Sequence, residues 1–291
     1  MLRPACQAEG DGADAKFLVV GEELTMPPEL ITQNRLDGLW NKEFQSLVRA
    51  AILGETFGDL NFRETVQRVI NCTRNPRDNS IDLRFSDGAN AINYLTSHDV
   101  QGTRKERLYN LMLAVIKVDG NQDIENVLHR ARLGRIKLGF VCLLTAVGIP
   151  MILAGEEFGD QHDLFNSRGD VTHEGGKQVD PVNFSRVNEP ARQELFNYVA
   201  RLVKLCTSHP TLSVNDTVFI HHDFSEDKRV VVWKRGSDAN PVVVVANFSD
   251  FTTPFAPGAQ YGVLCAKLAA YSRWTSMVRS DAKPSHYQRE T

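Results

Sequence analysis

The sequence predicts an α/β fold followed by a small all-β unit, and three observations predict it. Short apolar runs alternate with stretches of helical spacing between Phe17 and Thr207. The hydrophobic period then changes to two after His209-Pro210. Three of the apolar runs stop abruptly at clusters that contain acids: Gly21-Glu22-Glu23, Ser97-His98-Asp99 and Gly155-Glu156-Glu157. Strand–helix alternation builds a parallel sheet covered by helices, whereas consecutive strands with turn residues between them build an antiparallel one. Polar groups at the carboxyl ends of parallel strands stand where such sheets carry their chemistry.

Each element has its own justification. Residues 1–16 are rich in Ala, Gly and Asp with no period, and are expected to lack order. Phe17-Leu18-Val19-Val20 reads as a buried parallel strand that delivers Glu22 and Glu23 from its end. Pro27 and Pro28 make a loop, and Leu36 to Asn41 forms a second short strand. Phe44, Leu47, Val48, Ala51 and Ile52 mark a helix to Leu53, and Asn61 can cap another over Phe62 to Ile70 with Glu64 completing the cap. Asp78 to Asn90 is turn-rich, and Ala91 to Thr96 is a third strand. Helices are expected over Arg104 to Val118 and Val127 to Ala146, the second stopped by Gly148 and Pro150. Met151 to Ala154 is a fourth strand, Phe158 to Asn188 a long polar loop, and Pro190 opens a helix over Ala191 to Thr207. Strands follow at Val218 to His221, Val230 to Trp233 and Val242 to Ala246, and beyond Pro257 the pattern dissolves.

Composition excludes several classes. The chain is 42% hydrophobic and 24% charged, which suffices for a packed core. A net charge of -3 with scattered Lys and Arg points to neither nucleic acid nor an anionic membrane. No apolar run reaches the roughly 18 residues that cross a bilayer. Met1 to Lys16 carries Glu9, Asp11 and Asp14 where a signal peptide needs an apolar stretch, so a cytoplasmic location is expected. Cys6, Cys72, Cys142, Cys206 and Cys265 are widely spaced and form no Cys/His cluster. Free thiols are therefore expected, with no metal and no cofactor.

Three segments carry a resemblance. Phe17-Leu-Val-Val-Gly-Glu-Glu23 looks like the fifth-strand motif of the α-amylase superfamily of glycoside hydrolases, the family of α-amylases, pullulanases, isoamylases and branching enzymes. Asn93-Tyr-Leu-Thr-Ser-His-Asp99 resembles its seventh-strand motif, and Gly148 to Gly159 its eighth-strand segment, all in the family's order. The resemblance covers roughly residues 17 to 256. It implies the C-terminal half of a (β/α)8 TIM barrel, strands 5 to 8, over residues 17–210. A truncated all-β domain, a partial β-sandwich, follows over 211–257, with an irregular tail at 258–291. The span from Phe17 to Thr207 also falls short of the roughly 250 residues of a full barrel.

The chemistry implied is retaining cleavage of α-glucans, in which one carboxyl group protonates the leaving oxygen and another attacks the anomeric carbon. By the resemblance Glu22 is the general acid, Asp99 the carboxylate that grips sugar hydroxyls, and His98 a hydrogen-bond donor to the same ring. The family's nucleophile, in a Gly-Phe-Arg-x-Asp-type motif upstream of the acid, has no counterpart here; Arg35-Leu36-Asp37 has the Arg-x-Asp spacing but follows the acid. The chain is thus expected to be inactive alone, with an α-glucan as ligand and the missing barrel half as partner. A shortened non-catalytic protein that binds glucan or a partner is the competing expectation. Trp40 either stacks on a sugar or fills the core. Glu23 reads as a group behind the acid or in solvent, Glu156 and Glu157 as structural at the barrel mouth, and His162, Asp163, Phe165 and Asn166 as either a sugar subsite or an exposed insertion.

Overall fold

In a computed structural model, which describes residues 18–103, 106–115, 122–163, 181–226, 228–249 and 269–270, four short strands run parallel in chain order. They are β1 (Val20–Gly21), β2 (Gly38–Trp40), β3 (Ala91–Tyr94) and β4 (Ile149–Met151). Their register is set by Val20 opposite Gly38, Leu39 opposite Ala91 and Ile92 opposite Ile149. Helices α1 (Glu29–Thr32), α2 (Lys42–Leu53), α3 (Phe62–Ile70), α4 (His98–Thr103), α5 (Leu108–Val115), α6 (Gln122–Thr145) and α7 (Pro190–Ser208) connect and cover them. A second, antiparallel sheet has the order β5 (Thr217–Asp223), β6 (Val230–Arg235), β7 (Val242–Asn247) and β8 (Ala269–Ala270).

Local chemistry explains most of these elements. The Asn61 side chain accepts from the Glu64 amide at 2.9 Å and Glu64 accepts from the Asn61 amide at 2.9 Å, the reciprocal cap expected for α3. Asn41 caps α2 by accepting from the Phe44 amide at 3.0 Å, and left-handed Gly54 ends that helix. One continuous apolar cluster joins Phe44, Leu47, Ile52, Val69, Phe140, Leu144 and Leu195 of the helices to Trp233, Val244 and Phe248 of the antiparallel unit. The two sheets therefore share a core. Cys72 and Cys142 are buried, and burial pushes both thiols up to about 12, so they stay protonated.

The structure departs from the sequence reading in the following places, among smaller shifts of element ends. The fourth strand starts at Ile149 rather than Met151, because β4 is an edge strand and Pro150 can turn its missing N–H away from the ladder. Pro28 leads into the four-residue helix α1 instead of a plain loop. The helix expected from Arg104 is broken into α4 and α5; α5 starts at Leu108, whose amide donates to the Glu156 carboxylate at 3.2 Å. Such a cap, supplied from the far side of β4, has no local signature. The first apolar run, read as a buried strand, is exposed at Leu18 and Val20, because β1 lies at an edge of the sheet. Finally, Ala269–Ala270, within the stretch read as an irregular tail, pairs with Val242 and Val243; an edge strand this short carries no period of its own. The expectations for residues 1–16 and for Phe165 and Asn166 lie outside the described residues.

A polar connection runs through the parallel sheet. Asn41 donates to the Asn93 carbonyl oxygen at 3.0 Å, and Asn93 donates to the Val147 carbonyl at 2.9 Å. Both side chains are buried, at 2% and 1% exposure, so their partners cannot be replaced by water. Asn93→Ala orphans the Asn41 amide and the Val147 carbonyl together, and chemical denaturation should register a loss of about 2–4 kcal/mol. A loss below about 1 kcal/mol would show that the connection is dispensable. Glu156 supplies a second measurement. Burial raises its carboxyl to about 7 against the pull of Arg107, above the ordinary 4.5. The folded state then holds a proton that the unfolded state releases, so this group's contribution to stability falls as pH rises from about 4.5 to about 7. Glu156→Gln should flatten that slope.

Candidate functional site

The carboxyl ends of β1, β2 and β3 converge on one polar cluster. Glu22 follows β1 directly, Trp40 is the last residue of β2, Tyr94 the last of β3, and His98 and Asp99 open α4 just beyond. The His98 Nε2 stands 3.7 Å from Glu22 Oε1 and 3.6 Å from Asp99 Oδ1. One ligand atom from each of Glu22, His98 and Asp99 lies within 4.8 Å of the others, so two carboxyl groups, one just after β1 and one in α4 beyond β3, face one imidazole. Among the described residues this is the one His/Cys/Asp/Glu group whose donors could close on a cation. Its exposure equally suits hydroxyl groups of a ligand.

The electrostatics shift the Glu22 carboxyl upward. Burial pushes its carboxyl above the ordinary 4.5; His98 pulls it down, while Asp99 pushes it up by charge and by hydrogen bond. More than a third of the side chain remains exposed, so the group meets solvent and any ligand. A carboxyl that keeps its proton longer, beside a carboxylate and an imidazole, can donate that proton to a leaving oxygen. Tyr94, buried in the same wall, is pushed up to about 12 by burial first and then by Glu22 and Asp99, so its hydroxyl stays neutral.

The other singled-out residues separate cleanly. Glu23 turns away and accepts from the Thr25 amide at 3.1 Å and the Thr25 hydroxyl at 2.7 Å, which lowers its carboxyl. Glu156 is buried beneath the mouth, 4.0 Å from Arg107, whose guanidinium donates to the Ala154 carbonyl at 2.9 Å. Glu157 accepts from the Gly155 amide at 2.7 Å and shapes that turn. Asp163 pairs with Arg186 at 2.5 Å, and the His162 backbone is tied to Asn110, so the described part of the long loop is held to the scaffold. Trp40 meets Tyr94 at 5.2 Å and His98 at 5.7 Å between ring centroids. Tyr94 was not singled out from sequence, although an aromatic residue at the carboxyl end of a strand was a usable signal.

No family model matches the sequence, and no curated protein matches it either. Solved structures do. The GBS pullulanase SAP, solved with maltotetraose, superposes with a TM-score of 0.59 at 14% identity, over 85% of this chain and 37% of its own. The glycogen-degrading pneumococcal virulence factor SpuA gives 0.57 at 13% identity, over 85% and 30%. The type I pullulanase from Bacillus subtilis, solved with maltose, gives 0.55 at 17% identity, over 84% and 34%. The chain has a partial amylase-like fold. At these identities the likeness is one of fold, and the chain spans about a third of the length of each structure.

The cluster's couplings can be read directly by carbon-detected NMR titration of Glu22. Its midpoint should lie above the ordinary 4.5. Asp99→Asn should lower it, by removing a like charge and a shared hydrogen bond, whereas His98→Ala should raise it further by removing the opposing influence. Midpoints that respond to neither change would mean that the three groups are not neighbours in solution.

Proposed function

We propose that this chain is the C-terminal part of a retaining α-glucan hydrolase or transferase of the α-amylase type. In this reading β1 to β4 are strands 5 to 8 of an eight-stranded barrel. Glu22 is the general acid, Asp99 holds sugar hydroxyls and steadies the distorted transition state, and His98 donates to the same ring. The observation that carries the reading is the meeting of Glu22, His98 and Asp99, which follow two different strands, within 4.8 Å at the carboxyl ends of a parallel sheet. Fold alone would not suffice, because one fold hosts many chemistries. The glucan ligands of the similar structures point to the same substrate class.

Retaining cleavage needs a nucleophile as well as an acid. Asp99 sits in the Asn93-to-Asp99 segment that resembles the sugar-gripping motif, and no residue here takes the place of the fourth-strand aspartate. The isolated chain should therefore bind glucan weakly and cleave nothing. The sheet also fits a partner that supplies the other barrel half: β1 is an edge strand, with Leu18 68% and Val20 39% exposed. The same exposed edge favours the second reading, a non-catalytic protein that binds a glucan or a partner.

Release of reducing sugar from starch, glycogen and pullulan should stay at background for the chain and for its Glu22→Gln variant alike. Robust release that Glu22→Gln abolishes would reveal a nucleophile in this chain and sink the incomplete-site reading. Maltotetraose binding, measured by titration, should weaken about ten-fold in Asp99→Ala, where a charged acceptor is lost. Undiminished binding would remove Asp99 from the sugar site.

A further inference from the structure

We propose that Trp40 is a positioning residue that acts through His98, setting the imidazole so that its Nε2 faces Glu22 and Asp99 together. The proposal rests on the sugar-binding reading of this site and deepens it. Hydrogen bonds do not hold the ring. Among the described residues neither nitrogen of His98 makes a hydrogen bond, since both carboxylates stand 3.6–3.7 Å away and beyond normal reach. The side chain is 49% exposed. A half-exposed imidazole without hydrogen bonds samples several staggered rotamers unless packing selects one.

Trp40 supplies that packing. It comes from β2, the strand beside β3, and is itself half-buried. Its ring meets the imidazole edge-on, with centroids 5.7 Å apart and planes at 77°. On its other contact it leans on Tyr94, at 5.2 Å and 54°. Tyr94 is 1% exposed at the end of β3, so it cannot move without disturbing the core. The contacts thus run from an immobile ring to a half-buried one to a half-exposed one. Both geometries are ones that aromatic pairs favour, and each such pair biases a conformational choice by roughly 2- to 12-fold. That is enough to hold one rotamer of a side chain that no hydrogen bond ties elsewhere.

Two measurements on the full chain test this. The first needs no ligand: the three-bond Hα–Hβ couplings of His98 should be unequal, as for a single χ1 rotamer. They should stay so in Trp40→Phe and converge toward averaged values in Trp40→Leu, which stays apolar and loses the aromatic edge. Unchanged couplings in a folded Trp40→Leu chain would make Trp40 a core filler and overturn the proposal. If Trp40→Leu does not fold, Trp40→Phe decides, because lost couplings with the aromatic retained overturn it too. The second is a double-mutant cycle on maltotetraose binding. Trp40→Leu should weaken binding about 2- to 12-fold, and add nothing in a His98→Ala background. An undiminished loss in that background means that Trp40 touches the sugar itself, and the positioning role falls. Absence of maltotetraose binding by the parent chain would sink the sugar-site reading alone, and the couplings would still decide the role of Trp40.

Discussion

The buried amide connection from Asn41 through Asn93 to the Val147 carbonyl is the constraint on which the rest of the structure depends. The parallel strands are two to four residues long, so their ladders hold few backbone bonds. Register must come from elsewhere. Asn41 caps α2 with its oxygen and spends its amide on Asn93, which ties the entry of a helix to the neighbouring strand. Asn93 carries the tie to the turn before β4, where a side chain on Gly148 would come within 2.2 Å of the Asn93 amide. A slip of one residue would turn Trp40 and Tyr94 to the opposite face, away from the cluster they border.

Charges buried around this frame fasten its layers together. Arg235 is fully buried and donates to the carbonyls of Thr145, Leu212 and Val214, joining the end of α6 to the antiparallel sheet. Burial lowers its guanidinium to about 10, which still leaves it charged near neutrality. Arg135, on the same helix, donates to the Phe248 and Ser249 carbonyls. Behind the site mouth, Arg186 bridges Asp160 and Asp163, and Glu156 holds the start of α5. Removing one member of such a set strands a buried charge, which costs more than the pair contributes. Among the described residues no helix is long and apolar enough to cross a membrane.

The site itself combines a rigid wall with exposed polar tips. Tyr94 is buried, Trp40 half-buried, and Glu22, His98 and Asp99 are open to solvent. That gradient lets a cluster meet a polar ligand while its geometry is inherited from the sheet. Even so, partial burial is the largest influence on the Glu22 carboxyl, with His98 pulling it down and Asp99 pushing it up.

Much of this was legible in the residues. Apolar runs of Val and Ile, helical spacing from Phe44 to Ile52, the Asn61–Glu64 cap and the change to period two each act through neighbours in sequence, so local pattern was sufficient to find them. The candidate residues Glu22, His98 and Asp99 were likewise marked by their place after apolar runs. What the sequence by itself could not determine depends on groups that meet only in space. The Glu156 cap on Leu108, the edge position that admits Pro150 to β4, and the pairing of Ala269–Ala270 with β7 have no local trace. The same holds for the role of Trp40, since an aromatic residue at a strand end fits a core, a ligand or a neighbouring ring equally well. Only the packing of β2 beside β3 turned its indole toward His98.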